Sequence, residues 1–329
     1  MNKNKQNLDN KKVKSYKELI AEYQEQKANY VQGEILTMQG ISNKDVYNIT
    51  APVENKGQLY LLGRVESRDS EEDSQSCFFI YRKETNVWQL SSDLFSWPMQ
   101  DPDLTSIGGK YILSGVVVTP SPSVKGQLDY QEIFFQGTNF KNFIKFTEGP
   151  KGMKDIHLIE LSALAKENKK FPKIGIFTRP QGGICGRGKI GFITINSLED
   201  LRPEVILKAK IIENQFKESE WGGVNGVYLL KDGRLGVLGH IAFEENNSKH
   251  YAALTFIFNL NTFKITAMKI IATRNDFPNG PAKKPELKDV IFPGGLVKII
   301  DSDKVELYCG VSDTQAGKII IKNPFGDLW

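Results

Sequence analysis

Glu54-Asn-Lys-Gly57-Gln58-Leu-Tyr-Leu-Leu-Gly-Arg-Val65 sets the pattern of this chain. A polar turn cluster with glycine is followed by a short run of the form apolar, apolar, small, polar. The same order returns three times. Ile107-Gly-Gly109 precedes Lys110-Tyr-Ile-Leu-Ser-Gly-Val-Val-Val118, and Lys231-Asp-Gly233 precedes Gly236-Val-Leu-Gly-His-Ile-Ala242. Asp301-Ser-Asp303 precedes Val305-Glu-Leu-Tyr-Cys-Gly310. Asn, Asp and Gly supply the left-handed backbone that hairpin turns need, and β-branched and aromatic residues fit strands. Cys77-Phe-Phe-Ile-Tyr-Arg82, Gly175-Ile-Phe-Thr178 and Ala252-Leu-Thr-Phe-Ile-Phe258 read as further strands. Units recurring at roughly 50–70 residues have the spacing of propeller blades with generous loops. The expectation is an all-β fold, a five-bladed β-propeller over residues 34–329 with no linker dividing it.

Upstream, residues 1–33 form a polar tail and one helix. Residues 1–13 are polar and read as disordered. In Tyr16-Lys-Glu-Leu-Ile-Ala-Glu-Tyr-Gln-Glu-Gln-Lys-Ala28, Leu19, Ile20 and Tyr23 share one helical face. This helix reads as a packing brace outside the propeller.

Bulk composition excludes several classes. The formal net charge is +4, from 43 basic and 39 acidic residues, and part of the excess lies in the lysine-rich first stretch. Such a surplus gives no basis for nucleic-acid binding. No apolar run is long enough to cross a bilayer, and no signal-peptide core is present, so a cytoplasmic location is the default expectation. Cys77, Cys185 and Cys309 lie far apart, without metal-ligand spacing. His157, His240 and His250 are too scattered for a zinc site, so neither a metal nor an organic cofactor is expected. Gly183-Ile-Cys-Gly-Arg-Gly-Lys189 resembles a phosphate loop only superficially. Ile190 replaces the required Ser or Thr, and a strand follows in place of a helix. It reads as a hairpin tip whose Arg187 and Lys189 could still carry positive charge to a site.

Polar clusters fall at strand ends, where a propeller would turn them toward its channel. They are Val46-Tyr-Asn48, Gly63-Arg-Val-Glu-Ser-Arg68, Gln100-Asp-Pro-Asp103, Met153-Lys-Asp155 and Thr178-Arg-Pro-Gln181. They continue through Glu220-Trp-Gly-Gly-Val-Asn225, Leu238-Gly-His240, Phe292-Pro-Gly-Gly295 and Tyr308-Cys-Gly-Val-Ser-Asp313. Read singly, Arg64, Glu66 and Arg68 fit a surface ion-pair ladder as well as a site. Asp101-Pro102 fits a turn, Trp97 and Trp221 fit a core, and Asn225 fits a turn cap.

Read in order, the series resembles family 130 of the glycoside hydrolases, the β-mannoside phosphorylases and hydrolases. It is closer still to a related bacterial group known as a domain of unknown function. The most specific part is Asp289-Val-Ile-Phe-Pro-Gly-Gly295 followed by Leu307-Tyr-Cys-Gly-Val-Ser-Asp-Thr314, similar to the family's "VVFP-G" and "YYGAADT". The resemblance implies inverting cleavage of a glycosidic bond, by hydrolysis or phosphorolysis, in the central channel. Asp101, matching the aspartate of "EDPR", would be the general acid. Arg64 would hold sugar hydroxyls, with Asn48, Asp103, Trp221, Asn225, His240 and Asp313 also toward substrate. Lys154, Arg179, Arg187 and His240 would hold an anion, with inorganic phosphate as co-substrate. Hydrolysis would need a second carboxylate, for which Asp155, Glu66 and Asp313 are candidates. Enclosure, and Asp103 alongside, would raise the pKa of Asp101. Asp103 stands where the family has arginine, and "YHG" reads Leu238-Gly-His-Ile-Ala242. These departures keep a non-catalytic sugar-binding propeller as the alternative. The expected partner is an oligosaccharide or glycoside, and a homo-oligomer is compatible with the sequence.

Overall fold

A computed structural model of the chain describes residues 13–27, 32–70, 72–121, 128–167 and 172–329. The fold is mostly β, with about half the residues in strands, arranged as several curled antiparallel sheets. The turn signals act as their chemistry dictates. Lys56 and Gly57 both have positive φ between the paired strands Val53–Asn55 and Gln58–Glu66. Gly108 and Gly109 do the same between Gln100–Ile107 and Lys110–Pro120. These are two-residue hairpin turns whose twist matches that of the strands.

Strands pair with their neighbours in sequence. Gln100–Ile107, Lys110–Pro120, Leu128–Gly137 and Ile144–Glu148 make one four-stranded sheet. His157–Glu160, Ile174–Thr178, Gly191–Ile195 and Lys210–Ile211 make another. A seven-stranded sheet is built on Asp45–Tyr47, Gln58–Glu66, Gln75–Arg82 and Val87–Leu90. In the eight-stranded sheet, Trp221–Leu229, Leu235–Glu245, Ser248–Asn259 and Lys264–Ala272 follow one another. A short parallel pairing, His250 with Asp289 and Tyr251 with Val290, joins them to Asp289–Lys298, Lys304–Val311 and Gln315–Lys322. Glu34–Ile35 then pairs with Gln315–Lys322, closing the N-terminal side of the sheets on the C-terminal side.

Hydrophobic cores lie between adjacent sheets. Ile107, Ile112 and Phe134 meet Ile156, Leu158 and Ile176 across one such junction. Val46, Leu61 and Phe79 meet Tyr308 and Ala316 across another. Phe134 and Phe177 are wholly buried, and cutting such a side chain to alanine costs about 3–5 kcal/mol.

The helix runs Tyr16–Gln26, and Ala28 lies outside the described residues, as do residues 1–12. Ser15 caps it, bonding the Glu18 amide while Glu18 bonds back to Ser15. Tyr16, Leu19 and Tyr23 are its buried face, with Ile20 half-buried. It packs on Leu235–Glu245 and Lys264–Ala272, pinned where the Tyr16 amide donates to Glu220 (2.6 Å) and the Tyr23 hydroxyl to Asp276 (2.8 Å). Among the described residues no helix is long and apolar enough to cross a membrane.

Candidate active site

A recurring irregularity aims the site. In the sheet that begins at Gln100, Asp101 and Pro102 stand opposite the single residue Gly115. Asn225 is the extra residue between the pairs Val224–Gly239 and Gly226–Leu238. Gly294 is the extra residue between Pro293–Cys309 and Gly295–Tyr308. Asn48 and Ile49 likewise face Gly63, between the Tyr47–Arg64 pair and the Thr50–Leu62 hydrogen bonds. A bulge bends its strand and redirects a side chain. Three of these irregularities fall in the first long strand of a unit and the fourth just past the short strand Asp45–Tyr47, and each has glycine opposite or beside it. The reason is space. A Cβ on Gly310 would fall 2.1 Å from Asn48 Oδ1, and one on Gly239 would fall 2.3 Å from the Gly223 carbonyl. Of the small residues in the sequence pattern, Gly63 and Gly115 stand opposite such irregularities, Gly239 pairs with Val224 beside one, and Gly310, paired regularly with Phe292, makes room for Asn48 of another sheet.

These bulges line one cavity with Asn48, Asp101, Asp103, Glu132, Asp155, His157, Asn225 and Phe292-Pro293-Gly294. Asn48, Asp101 and Asp155 all have positive φ, at 45°, 48° and 59°. Asn and Asp tolerate that region better than other L-residues, and strain of this kind collects at functional sites. Ser312 and Asp313 share it, at 50° and 51°.

On one side, Arg64 bonds Glu66 (2.7 Å) and Asp101 (3.2 Å) while lying over the Tyr47 ring. The Asn48 amide donates to the same Asp101 oxygen at 2.7 Å. Glu66 is completely buried and accepts from Arg64, Tyr47, Ser74 and Lys283. Burial opposes its charge, but Arg64, Lys283 and the two hydroxyls outweigh that and hold it below the usual carboxylate range. Arg68 belongs elsewhere, paired with Asp45 at the surface.

On the other side, Arg179 lies 3.4 Å from Asp155, which is 3.9 Å from His240 Nε2. Arg179 Nε donates to the Gly222 carbonyl (2.9 Å) and Nη2 to the Arg187 carbonyl (3.0 Å). Its Nη1 is buried without a partner. Lys154 Nζ stands 4.0 Å from Asp101, between the two sides. His240 bonds Asn225 through Nδ1 at 2.8 Å. Burial pulls its pKa down to about 3 despite Asp155, with Arg179 and Lys154 adding to the effect, so the ring is neutral.

The expected rise in the Asp101 pKa is not found. Burial alone would push the carboxyl up, but Arg64, Lys154 and Asn48 together hold it below its ordinary value. Asp103 pairs with His157, 3.3 Å away. Asp155 behaves like Asp101, with Arg179 and Lys154 outweighing burial. Asp313 goes the other way, lifted by burial and by the Asp101 charge against Arg64.

Of the residues expected at the site, Asn48, Asp101, Asp103, Asp155 and Asn225 line the cavity. Arg64, Lys154, Arg179, His240 and Asp313 stand close enough to act electrostatically with its carboxylates, and Glu66 backs Arg64. Two others lie apart. Trp221 is 2% exposed, donating to the Tyr251 hydroxyl at 3.0 Å. Arg187 lies over its ring at 3.6 Å and, half-exposed, pairs with Glu244 at the surface. Sequence reading missed Glu132, His157 and Lys283. Among the described residues no cluster of His, Cys, Asp and Glu is arranged to hold a metal ion.

Residues 22–327 match the model of a family described as a protein of unknown function (DUF1861). The chain belongs to that family. DUF1861 is also where its solved likenesses become informative. MPT-4, a mannose phosphorylase from Leishmania mexicana solved with phosphate ion, is 31% identical over 94% of this chain and 93% of its own, with a TM-score of 0.84. MPT-1, a GDP-Man-dependent mannosyltransferase from the same organism, is 33% identical over 94% of this chain and 95% of its own, with a TM-score of 0.83. A β-1,2-mannobiose phosphorylase from Listeria innocua shares the fold at 14% identity, covering 87% of this chain and 92% of its own, with a TM-score of 0.61. No curated protein sequence matches this DUF1861 chain.

Proposed function

We propose that this protein is a carbohydrate-active enzyme that cleaves β-mannosides with phosphate, with inversion, in the channel of a five-bladed propeller. On this reading the eight-stranded sheet counts as two blades touching through the parallel pairing of His250 and Tyr251. Residues 34–329 form one domain, closed by Glu34–Ile35 on the last blade.

The observation that carries the activity is Arg179 Nη1, a buried cationic donor without a partner. An unmet buried donor costs about 1–3 kcal/mol, more when charged. An anion would satisfy it, with Lys154 close enough for the two cations to repel each other. His240 is neutral and so adds a hydrogen bond without charge. The likeness to a mannose phosphorylase solved with phosphate supports phosphate as that anion.

The chemistry then follows. A phosphate oxygen attacks the anomeric carbon, the glycosidic C–O bond breaks, and the leaving oxygen takes a proton from Asp101. Inversion at a β-linkage yields an α-sugar 1-phosphate. Asp101 is ionised before the anion binds. Phosphate adds negative charge beside Lys154, so one of the two cations that hold Asp101 down is shared and the carboxyl takes up a proton. Glu66, saturated by four donors, anchors Arg64 and does not activate water. Were water the nucleophile, Asp155 would be the base.

Incubation with β-linked mannooligosaccharides, with and without inorganic phosphate, tests this. Phosphate-dependent release of mannose 1-phosphate is expected. Phosphate-independent release of mannose would make the protein a hydrolase, and binding without turnover would make it a sugar-binding propeller. A transferase is the second reading. The likeness to a GDP-Man-dependent mannosyltransferase supports it. GDP-mannose as donor in the same assay separates the two.

A further inference from the structure

The cavity does not end at Asp101 and Asp155. Asp103, His157, Asn225 and Gly294 line it and also line a second cleft that continues along the channel past Thr50, Ser106, Tyr228 and Leu296. Those four residues form the joint between two spaces. Two of them are oppositely charged, His157 Nδ1 lying 3.3 Å from Asp103 Oδ2. The Asp103 side chain has no other hydrogen bond or ion pair among the described residues. Glu132 backs the pair, bonded by the Ser114 hydroxyl (2.7 Å) and the Ile156 amide (2.9 Å).

An enclosed ion pair is costly, because each ion gives up several kcal/mol of hydration that attraction does not always restore. Two apolar side chains would close the joint at lower cost. What the pair adds is an anionic acceptor and a cationic donor side by side, with the carboxylate only partly used. Such a combination suits two neighbouring hydroxyls, one donating and one accepting.

We infer that Asp103 and His157 are the specificity-determining residues of a bound sugar ring, recognising a vicinal pair of hydroxyls at the joint between the cavity and the cleft beyond it. This rests on the proposed reading that the cavity takes a sugar. A site built to bond a hydroxyl rejects the analogue lacking it, because its own polar groups are then left unpaired.

The pair also carries a pH signature. His157 is faced by Asp103, Glu132, Asp155 and His240, and Tyr228 lies beside Asp103. Burial disfavours its charge, but Asp103 and Glu132 outweigh that and push it up to about 9. Glu132 is pushed up by burial to about 7, against His157. A raised histidine pKa stabilises the fold fully below its ordinary value near 6.5, and the contribution is lost as pH rises through about 9. Sugar affinity should fall across the same window.

The test measures binding by calorimetry, so it does not depend on turnover. Mannose and its 2-, 3-, 4- and 6-deoxy analogues are titrated into the full-length wild type, Asp103→Asn and His157→Gln at pH 7 and pH 9.5. Expected in the wild type is a loss of roughly 10–100-fold for two adjacent deoxy positions and little for the rest. Asp103→Asn should flatten that pattern. His157→Gln should bind weakly at both pH values, whereas the wild type weakens only at the higher one. The inference is overturned if both variants keep the wild-type deoxy pattern, if His157→Gln keeps the pH dependence, or if the wild type binds no mannose at millimolar concentration. Wild type that binds with the expected pattern but never turns over would refute the proposed catalysis and leave this inference standing.

Discussion

The two sides of the cavity use their cations differently. Arg64 directs both terminal nitrogens to carboxylates, Glu66 and Asp101, and Lys283 reinforces Glu66. Arg179 directs Nε and Nη2 to backbone carbonyls and leaves the terminal Nη1 unpartnered, whereas the nitrogen that Arg64 leaves unpartnered is Nε. Both guanidinium groups are buried, at 6% and 4% exposure, so the contrast is not one of solvent access. It is one of compensation. Arg64 is hydrogen-bonded to two carboxylates, whereas Arg179 is hydrogen-bonded to carbonyls and faces one carboxylate, Asp155, at 3.4 Å. On the proposed reading the more fully matched charge fixes geometry, and the less matched one keeps field for an incoming anion. The lesson is that two arginines of similar burial take opposite tasks according to where their N–H groups point.

The sharpest way to break this comparison is at its meeting point. Asp101→Asn keeps the shape and removes the acid, so turnover of a natural mannoside should fall by roughly 10²–10⁴-fold. A substrate with an activated leaving group needs little protonation and should lose far less. Equal loss on both would move the acid to another carboxylate, Asp313 first, whose raised pKa suits a proton donor. The compensated side is next. Arg64→Met strands Glu66 and Asp101 without their main cation, and breaking a buried pair this way costs about 3–5 kcal/mol of stability. Denaturant midpoints would read that loss, and an unchanged midpoint would contradict the description of this side as a closed network. Arg179→Met should behave otherwise. It should raise the KM for phosphate by roughly 10–100-fold with little change in the KM for glycan, since charged hydrogen bonds are worth about 1.5–3 kcal/mol. The smallest effect belongs to the exposed end. Glu244→Ala removes the partner of Arg187, and an exposed pair is worth only about 0–1 kcal/mol. A larger drop in thermal midpoint would show that the Arg187–Trp221 stack braces the Arg179 side.

Much of this was legible from residues alone, for a physical reason. Turn glycines announced the hairpins, and Gly63, Gly115, Gly239 and Gly310 marked strands whose neighbours bulge, although the bulge itself is invisible until strands are paired. Asn48, Asp101, Asp155 and Asn225 stood out as polar breaks at strand ends. Glu132 did not, because it leads directly into Ile133-Phe-Phe135 and reaches the cavity only through its pairing with Val116. His157 was set aside with scattered histidines, since nothing in its own segment reveals the facing Asp103. Lys283 sits in a loop far from Glu66 in sequence and meets it only in the fold. The direction of the Asp101 pKa was misjudged because enclosure was weighed without Arg64 and Lys154. Trp221 is placed toward substrate by its position in the ordered series, yet it packs beneath Arg187 and Tyr251.

The most direct test of the account is a crystal structure of the wild-type protein soaked in inorganic phosphate, without glycan. A phosphate is expected within hydrogen-bond distance of Arg179 Nη1 and Lys154 Nζ, with Arg64 still bonded to Glu66 and Asp101. Phosphate bound to Arg64 instead, or a cavity holding only water at saturating phosphate, would contradict the division of labour between the two sides.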